Sequence, residues 1–321
     1  MKRLVITGSS GYLGGNLVEY YRRQEGDAEI LGIDIEPPPS EELTPHQFHQ
    51  MDVQSEQLAG VLESFRPDTI VHSAFVVPPM HDEVKMREIN VGGLQNLLEA
   101  TARCRPERFL FISSTTAYGA LPDNPMPLDE TMPVRANAFR YAMDKVEDEQ
   151  LMCEFAGRHP ETAVSWVRPA IVGGPGMDNY LYRFIFGLPV LILIDGCDTP
   201  LQFVHEDDVT AGIDAVLKAD GRGAYNLAPD STSPISEIAE ATDRRCFSLP
   251  FWFVKFLHGL AWKVRLPIHE SPGDFLYFAR YPWTVAPRRL EQEFGFRFRY
   301  SSNETVQAVV EHRREKTEEQ S

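Results

Sequence analysis

Cysteine is scarce and scattered: four among 321 residues, Cys104, Cys153, Cys197 and Cys246, each more than 40 positions from the next. Zinc sites and redox dithiols need ligands or thiols a few positions apart, so neither is expected, and no metal site is assigned. Dispersed cysteines fit a reducing compartment, and a cytoplasmic location is the expectation. Positive charge is short as well. Lysine plus arginine total 31 against 47 aspartate plus glutamate, a formal net charge of −16. Such a field repels the phosphate backbone of nucleic acid and anionic lipid, so both are discounted as partners. Long apolar runs are missing too. The two longest, Phe184 to Ile194 and Phe251 to Leu266, are broken by Gly187 and Pro189 and by Lys255, His258, Lys263 and Arg265. Neither reaches the roughly 20 uninterrupted residues that span a bilayer. Met-Lys-Arg-Leu-Val-Ile-Thr-Gly at the start holds too few apolar residues for the core of a signal peptide, so no export signal and no integral membrane segment are expected.

What is present is ordinary globular material, 43% apolar and 24% charged, in a length that suits about two domains of roughly 150 residues. The first half alternates short β-branched or aromatic runs with amphipathic stretches, as β-α-β units of a parallel sheet do. Strands are expected at Leu4 to Thr7, Ile30 to Asp34, Thr69 to Val71, Phe109 to Ser113 and Val164 to Arg168. Helices are expected at Gly14 to Gln24, Glu56 to Phe65, Val84 to Arg103 and Ala138 to Ala156. After Pro169 the texture turns to glycine, proline and aromatic residues, with later regular pieces at Asp207 to Lys218, Ser236 to Ala241 and Glu304 to Arg314. The expected class is α/β, a doubly wound parallel sheet over residues 1–169 with a smaller domain over 170–321. Leu201 to Leu227 is a candidate to return to the first sheet.

Thr7-Gly8-Ser9-Ser10-Gly11-Tyr12-Leu13-Gly14 lies between the first strand and the first helix. A dinucleotide pyrophosphate must approach the unpaired amides of a helix N-terminus, where the helix dipole attracts anions and side chains obstruct. Glycine removes the obstruction, although the Gly-x-x-Gly-x-x-Gly spacing differs by one residue from the commoner fingerprint. Asp34 ends the next strand 20 residues beyond Gly14, the distance at which an acid receives the adenosine ribose hydroxyls. A carboxylate there selects NAD and opposes the extra phosphate of NADP. Asp52, after the short run Phe48 to Met51, is a candidate adenine contact or a surface-loop residue.

Two segments carry reactive groups. Phe111-Ile112-Ser113-Ser114-Thr115-Thr116-Ala117-Tyr118-Gly119 sets hydroxyls at a strand's C-terminal end, where open α/β sheets bind ligands. Tyr141-Ala142-Met143-Asp144-Lys145 puts a phenol and an ammonium one helical turn apart on one face. A free phenol has a pKa of about 10, and bringing it to 7 needs about 4 kcal/mol in favour of the anion. An ammonium about 5.5 Å away at an effective dielectric of 20 supplies about 3 kcal/mol. The charge of an oxidised nicotinamide can supply the rest. Tyr141 then exchanges the hydroxyl proton while hydride moves at the same carbon, and Ser114 holds the substrate oxygen.

Together these residues resemble the short-chain dehydrogenase/reductase superfamily, and more closely its extended branch, the NAD-dependent epimerase/dehydratase family. Val71-His72-Ser73-Ala74, Asn90-Val91-Gly92-Gly93-Leu94-Gln95-Asn96, Arg168-Pro169 with Gly173-Gly174-Pro175-Gly176, and Phe203-Val204-His205-Glu206-Asp207-Asp208-Val209 extend the likeness over nearly the whole chain. The resemblance implies a Rossmann-type fold with a C-terminal substrate-binding domain. It also implies Gly8, Gly11 and Gly14 at the pyrophosphate, Asp34 on the ribose and Asn90 near the cofactor. Lys145 then binds the nicotinamide ribose besides tuning Tyr141, and Ser114 completes the catalytic set, with Thr115 in reserve. Ser10, Tyr12, Leu13, Val53, Ala74 and Pro169 are the remaining cofactor contacts expected.

Three departures bear on the substrate. Sugar-nucleotide members usually carry an arginine just before the aromatic-Val-His element, where this chain reads Thr199-Pro200-Leu201-Gln202-Phe203. They also tend to have one shortly before a Gly-Asp pair, where it reads Glu270-Ser271-Pro272-Gly273-Asp274. Arg183, Arg280 and Arg288 are candidate substitutes. Phe75 stands where a small residue is usual beside the cofactor. The aromatic segment 248–267 reads as a lid over an apolar alcohol or ketone, as a helix on a membrane surface, or as a helix packed on the second domain. A homodimer contact is a further reading. His72 and His205 read as structural histidines, and Asp207-Asp208 as a helix N-terminal cap. The expected activity is NAD-dependent oxidoreduction of a secondary alcohol or ketone. The alternatives are a sugar-nucleotide epimerase or dehydratase with transient hydride transfer, and a non-catalytic NAD-binding sensor.

Overall fold

The computed structural model describes residues 1–24, 28–266 and 270–319. Seven parallel strands form the central sheet: β1 (Arg3–Thr7), β2 (Glu29–Asp34), β3 (Gln47–Gln50), β4 (Thr69–His72), β5 (Arg108–Ile112), β6 (Ala163–Pro169) and β7 (Gly223–Leu227). Their spatial order is β7-β6-β5-β4-β1-β2-β3, all pairings being parallel. This is the doubly wound sheet the sequence implies.

Strand side chains alternate between two cores. Leu4 and Ile6 of β1 and Leu110 and Ile112 of β5 face one apolar cluster, where helices Tyr12–Arg23 and Glu206–Lys218 contribute Leu17, Val18, Val209 and Ile213. Val5, Phe109 and Phe111 face the other, beneath helices Leu58–Phe65, Gly93–Cys104 and Arg140–Arg158. Burial on both faces explains why these strands read as continuous apolar runs. Helix Glu206–Lys218 carries the chain back so that β7 pairs with β6.

The remainder is built from short pairings. Ile171–Gly173 runs beside Phe203–His205, Pro200–Leu201 beside Ser233–Pro234, and Val190–Ile194 beside Arg245–Leu249. These surround a third cluster that includes Phe139, Tyr180, Ile185, Phe203, Ile238, Phe275 and Phe278. No helix among the described residues is long and apolar enough to cross a membrane.

One expected helix is corrected. Val84 to Arg103 is not continuous: Glu83–Arg87 passes through a π-helical turn, Glu88–Gly92, into Gly93–Cys104. Asn90 sits in that turn, and its side chain is drawn sideways. It accepts from the Val76 amide at 2.8 Å and donates to Asp144 at 3.0 Å. Bulges of this kind re-aim side chains at functional sites.

Candidate active site

The glycine turn is set by contacts that no Cβ would survive. Gly8 has φ +71°, and a Cβ there would stand 2.5 Å from the Ala74 amide nitrogen. One on Gly14 would overlap the Gly8 carbonyl oxygen. Gly11 is the N-cap of the 12-residue helix Tyr12–Arg23 and offers no capping side chain, leaving the first-turn amides for an anion. The turn therefore fits a dinucleotide pyrophosphate. Ala74 lies against it on the loop after β4.

Asp34 ends β2 beside this turn. Its Oδ2 accepts from the Ser10 amide at 2.9 Å and its Oδ1 from the Glu36 amide at 3.1 Å, while the Ser10 hydroxyl donates to the Glu36 carbonyl. Each carboxylate oxygen keeps a lone pair for a further donor. Asp52 is exposed and accepts from the Gln54 amide at 2.8 Å; Val53 beside it is buried. Tyr12 and Leu13 line the cavity described below. The Tyr12 hydroxyl donates to Glu206, which also accepts from the Gly176 amide, so residues 174–176 are glycine-rich where Glu206 packs closely on them. Pro169, at the end of β6, accepts from the Thr115 hydroxyl at 3.2 Å. That bond turns Thr115 away, and Ser114 and Thr116 are the hydroxyls that line the cavity.

Ser114 and Tyr141 are brought together on the wall of one cavity, near enough for the serine hydroxyl to act on the phenol. Thr116 donates to Ser114 at 3.0 Å. Lys145, one turn along helix Arg140–Arg158, is buried and donates to the Ile112 carbonyl at 2.8 Å. Its Nζ stands 3.3 Å from the Phe75 ring centroid and 5.7 Å from that of Tyr141, with Phe75 edge-on to Tyr141. The large residue at position 75 thus caps the ammonium through a cation–π contact.

Burial dominates the electrostatics of Tyr141 and Lys145. Burial pushes Tyr141 up to about 12, against the Ser114 hydrogen bond, with Asp148 adding to the rise. Burial likewise brings Lys145 down to about 7, against the pull of Asp148, Glu149 and Asp144. In each case burial disfavours the charged form and is the largest cause of the shift.

Sequence reasoning passed over two neighbours on the same helix. Asp148, at i+3 from Lys145, is buried with neither oxygen hydrogen-bonded, and burial pushes it up to about 8. Glu149, at i+4, anchors a buried network. Arg168 donates to it at 2.9 and 2.5 Å, Ser113 at 2.6 Å, and Arg168 also reaches the Tyr118 hydroxyl at 2.6 Å. The i+3 and i+4 spacing from Lys145 was the available signal. His72 is buried and neutral, lowered to about 3 by burial and then by Lys145. His205, not the Asp207-Asp208 pair, caps helix Glu206–Lys218 with its ring nitrogen; Asp208 instead accepts from the Arg299 and Tyr300 amides.

Ser114 and Tyr141 open onto a cavity of about 340 Å³ walled by Phe75, Val77, Phe139, Tyr180, Leu181, Phe184, Phe275, Phe278 and Trp283 among others, with no lysine or arginine among the described residues of its lining. Leu201 lies in that wall. The candidate substitute arginines are committed elsewhere: Arg183 to Glu270, Arg280 to Asp195 and Arg288 to Asp129. Within the aromatic segment 248–267, of which Pro267 lies outside the described residues, a helix spans Phe251–Lys263.

This sheet order and glycine turn, with the tyrosine-lysine helix, define a dinucleotide-binding α/β protein of the short-chain dehydrogenase/reductase type. The NAD dependent epimerase/dehydratase family matches over residues 4–228, and the chain belongs to that family, an enzyme family of the extended branch. An uncharacterized protein of Mycobacterium tuberculosis is 26% identical over 310 residues, 94% of this chain and 82% of its own. An uncharacterized epimerase/dehydratase of Staphylococcus saprophyticus is 28% identical over 254 residues, 73% of this chain and 78% of its own. Among solved structures, a UDP-glucose 4-epimerase of Thermus thermophilus in complex with NAD superposes with a TM-score of 0.76 at 23% identity, covering 97% of this chain and 99% of that one.

Proposed function

We propose that the chain interconverts an apolar ketone and its secondary alcohol, with Tyr141 as proton carrier, Ser114 as holder of the substrate oxygen and Lys145 as the cation that supports both the phenol and the cofactor ribose. The carrying observation is that the Ser114–Tyr141 pair opens onto a cavity lined mainly by aromatic and aliphatic residues, with Ser73, Thr116 and Asn179 among its polar members and no lysine or arginine among those described. A nucleotide diphosphate brings two negative charges, and burying them without a cation is strongly unfavourable. NAD, when bound, supplies or accepts the hydride. Gly8, Gly11 and Gly14 would hold its pyrophosphate and Asp34 its adenosine ribose, with Ser10, Tyr12, Leu13, Val53, Ala74, Asn90 and Pro169 around them; Asp52 is the outermost member of the set. Residues 1–169 with 201–227 then form the cofactor half, and the rest of 170–321 the substrate half.

The starting proton inventory favours reduction. A Tyr141 raised to about 12 is fully protonated at neutral pH, so its Oη can give a proton to a ketone oxygen held by Ser114. The reverse direction requires the Lys145 ammonium to be charged and turned toward the phenol. The test is to supply NADH with apolar ketones and, in parallel, with UDP-glucose, and to follow absorbance at 340 nm. Consumption of NADH with the ketones is expected, and Tyr141→Phe should lower turnover about 10²- to 10⁴-fold with NADH affinity retained. Undiminished turnover in that variant removes the mechanism, and interconversion of the UDP-sugar at constant absorbance favours an epimerase.

A further inference from the structure

We propose that a second, adjoining cavity binds the hydrocarbon tail of the substrate, so that the ketone or alcohol is one end of a long-chain apolar molecule; this rests on the reading of Tyr141 given above. The second cavity has about the same volume, 340 Å³, and a lining of aliphatic and aromatic residues in which His258 is the one ionisable group among the described residues. Phe184, Ile185, Leu201 and Ala279 line both cavities, so the two share a wall. Protein interiors are packed as tightly as organic crystals. Two adjoining apolar spaces, each the size of a ligand pocket, are therefore room kept for a ligand, and an apolar space of this kind takes apolar guests.

The roof identifies what kind of guest. Helix Phe251–Lys263 turns Phe253, Val254 and Leu257 toward the second cavity. Its other side leaves Trp252 71% and Phe256 62% exposed, and Leu257 itself is 47% exposed. Leu257 thus belongs to both the cavity wall and the outer surface, which marks the roof as the place where an apolar chain enters or protrudes. A compact polar substrate would use neither the second space nor a roof that is greasy on both sides. A chain with its oxygen at Ser114 and its tail passing the shared wall uses all of it.

A straight-chain 2-alkanone series with NADH tests the tail site. Each methylene transferred from water should raise kcat/KM about two- to fourfold until the second cavity is filled. Leu257→Asp, at a half-exposed position that tolerates a carboxylate, and Ile238→Trp, which fills the cavity from its floor, should flatten the ratio of long- to short-ketone kcat/KM. Binding is read separately with the neutral fluorophore N-phenyl-1-naphthylamine on cofactor-free protein, where either substitution should weaken affinity at least tenfold. A NADH-induced rise in Tm checks that each variant is folded. Probe binding with no ketone reduced would sink the Tyr141 reading and leave the tail site standing. Short ketones reduced with no gain along the series, or probe affinity equal in wild type and both variants, would overturn the tail site.

Discussion

Asp34 illustrates how much one side chain is asked to do. Its carboxylate already accepts the Ser10 and Glu36 amides, which fixes its rotamer at the mouth of the glycine turn before any ligand arrives. A preorganised acceptor gains more from a vicinal diol than a mobile one, and it repels a phosphate at the same place. Hydrogen bonds to a charged group contribute about 1.5–3 kcal/mol. Asp34→Ala should therefore weaken NADH binding about tenfold or more while leaving NADPH less affected. Titration of the cofactor fluorescence with each dinucleotide measures the ratio, and an unchanged ratio would assign Asp34 to the turn alone. Lys145 shows the opposite logic. Nothing in its spacing from Tyr141 reveals that it is capped by Phe75 and tied to the Ile112 carbonyl, because those partners come from two other strand ends.

At the scale of elements, helix Arg140–Arg158 buries Asp144, Lys145, Asp148 and Glu149 along one side, an arrangement with sharp consequences for stability. Asp148 has its pKa raised to about 8, so the folded chain holds a proton there that the unfolded chain releases near 4. Between those limits the native state binds more protons, and stability falls as pH climbs. Asp148→Asn lacks that loss. Its Tm relative to wild type should grow by a few degrees from pH 4 to pH 8, and a difference independent of pH would refute the buried-acid assignment. The same substitution removes a carboxylate whose field favours the Lys145 ammonium. The Arg168–Glu149 pair joins this helix to β6, both partners being about 5% exposed or less. Breaking one side of a buried pair costs about 3–5 kcal/mol, so Glu149→Gln should lower the thermal midpoint markedly, in a scan run beside the wild type. Why the strands could be located from sequence and this network could not is a matter of range. A strand buried on both faces announces itself within five residues, as β1 and β5 do. The network joins Ser113, Tyr118, Glu149, Arg168 and Asn226, whose pairings span up to 108 positions. The π-helical turn at Asn90 was hidden for a related reason, since the partners of its side chain, Val76 and Asp144, lie outside the helix.

For the molecule as a whole, the parallel sheet and its glycine turn were legible because strand patterning and a glycine-rich turn are short-range signals. The part after Pro169 was not, because its sheets pair segments as far apart as Val190–Ile194 and Arg245–Leu249, and its cavities exist only once they meet. Net charge, by contrast, is visible from composition alone and acts at long range. A chain of formal charge −16 carries a net field that opposes an approaching anion at long range. The Debye length falls from about 30 Å at 0.01 M salt to about 8 Å at 0.15 M, so the repulsion is strong in the first condition and local in the second. The association rate of NADH, an anion, should rise severalfold across that range in stopped-flow fluorescence. An uncharged ketone, at saturating cofactor, should show a kcat/KM that hardly moves over the same salt series. Were the true substrate a nucleotide sugar, with its two phosphate charges, its kcat/KM would climb with salt as the NADH rate does. The pair of measurements therefore separates an apolar substrate from an anionic one without any change to the protein.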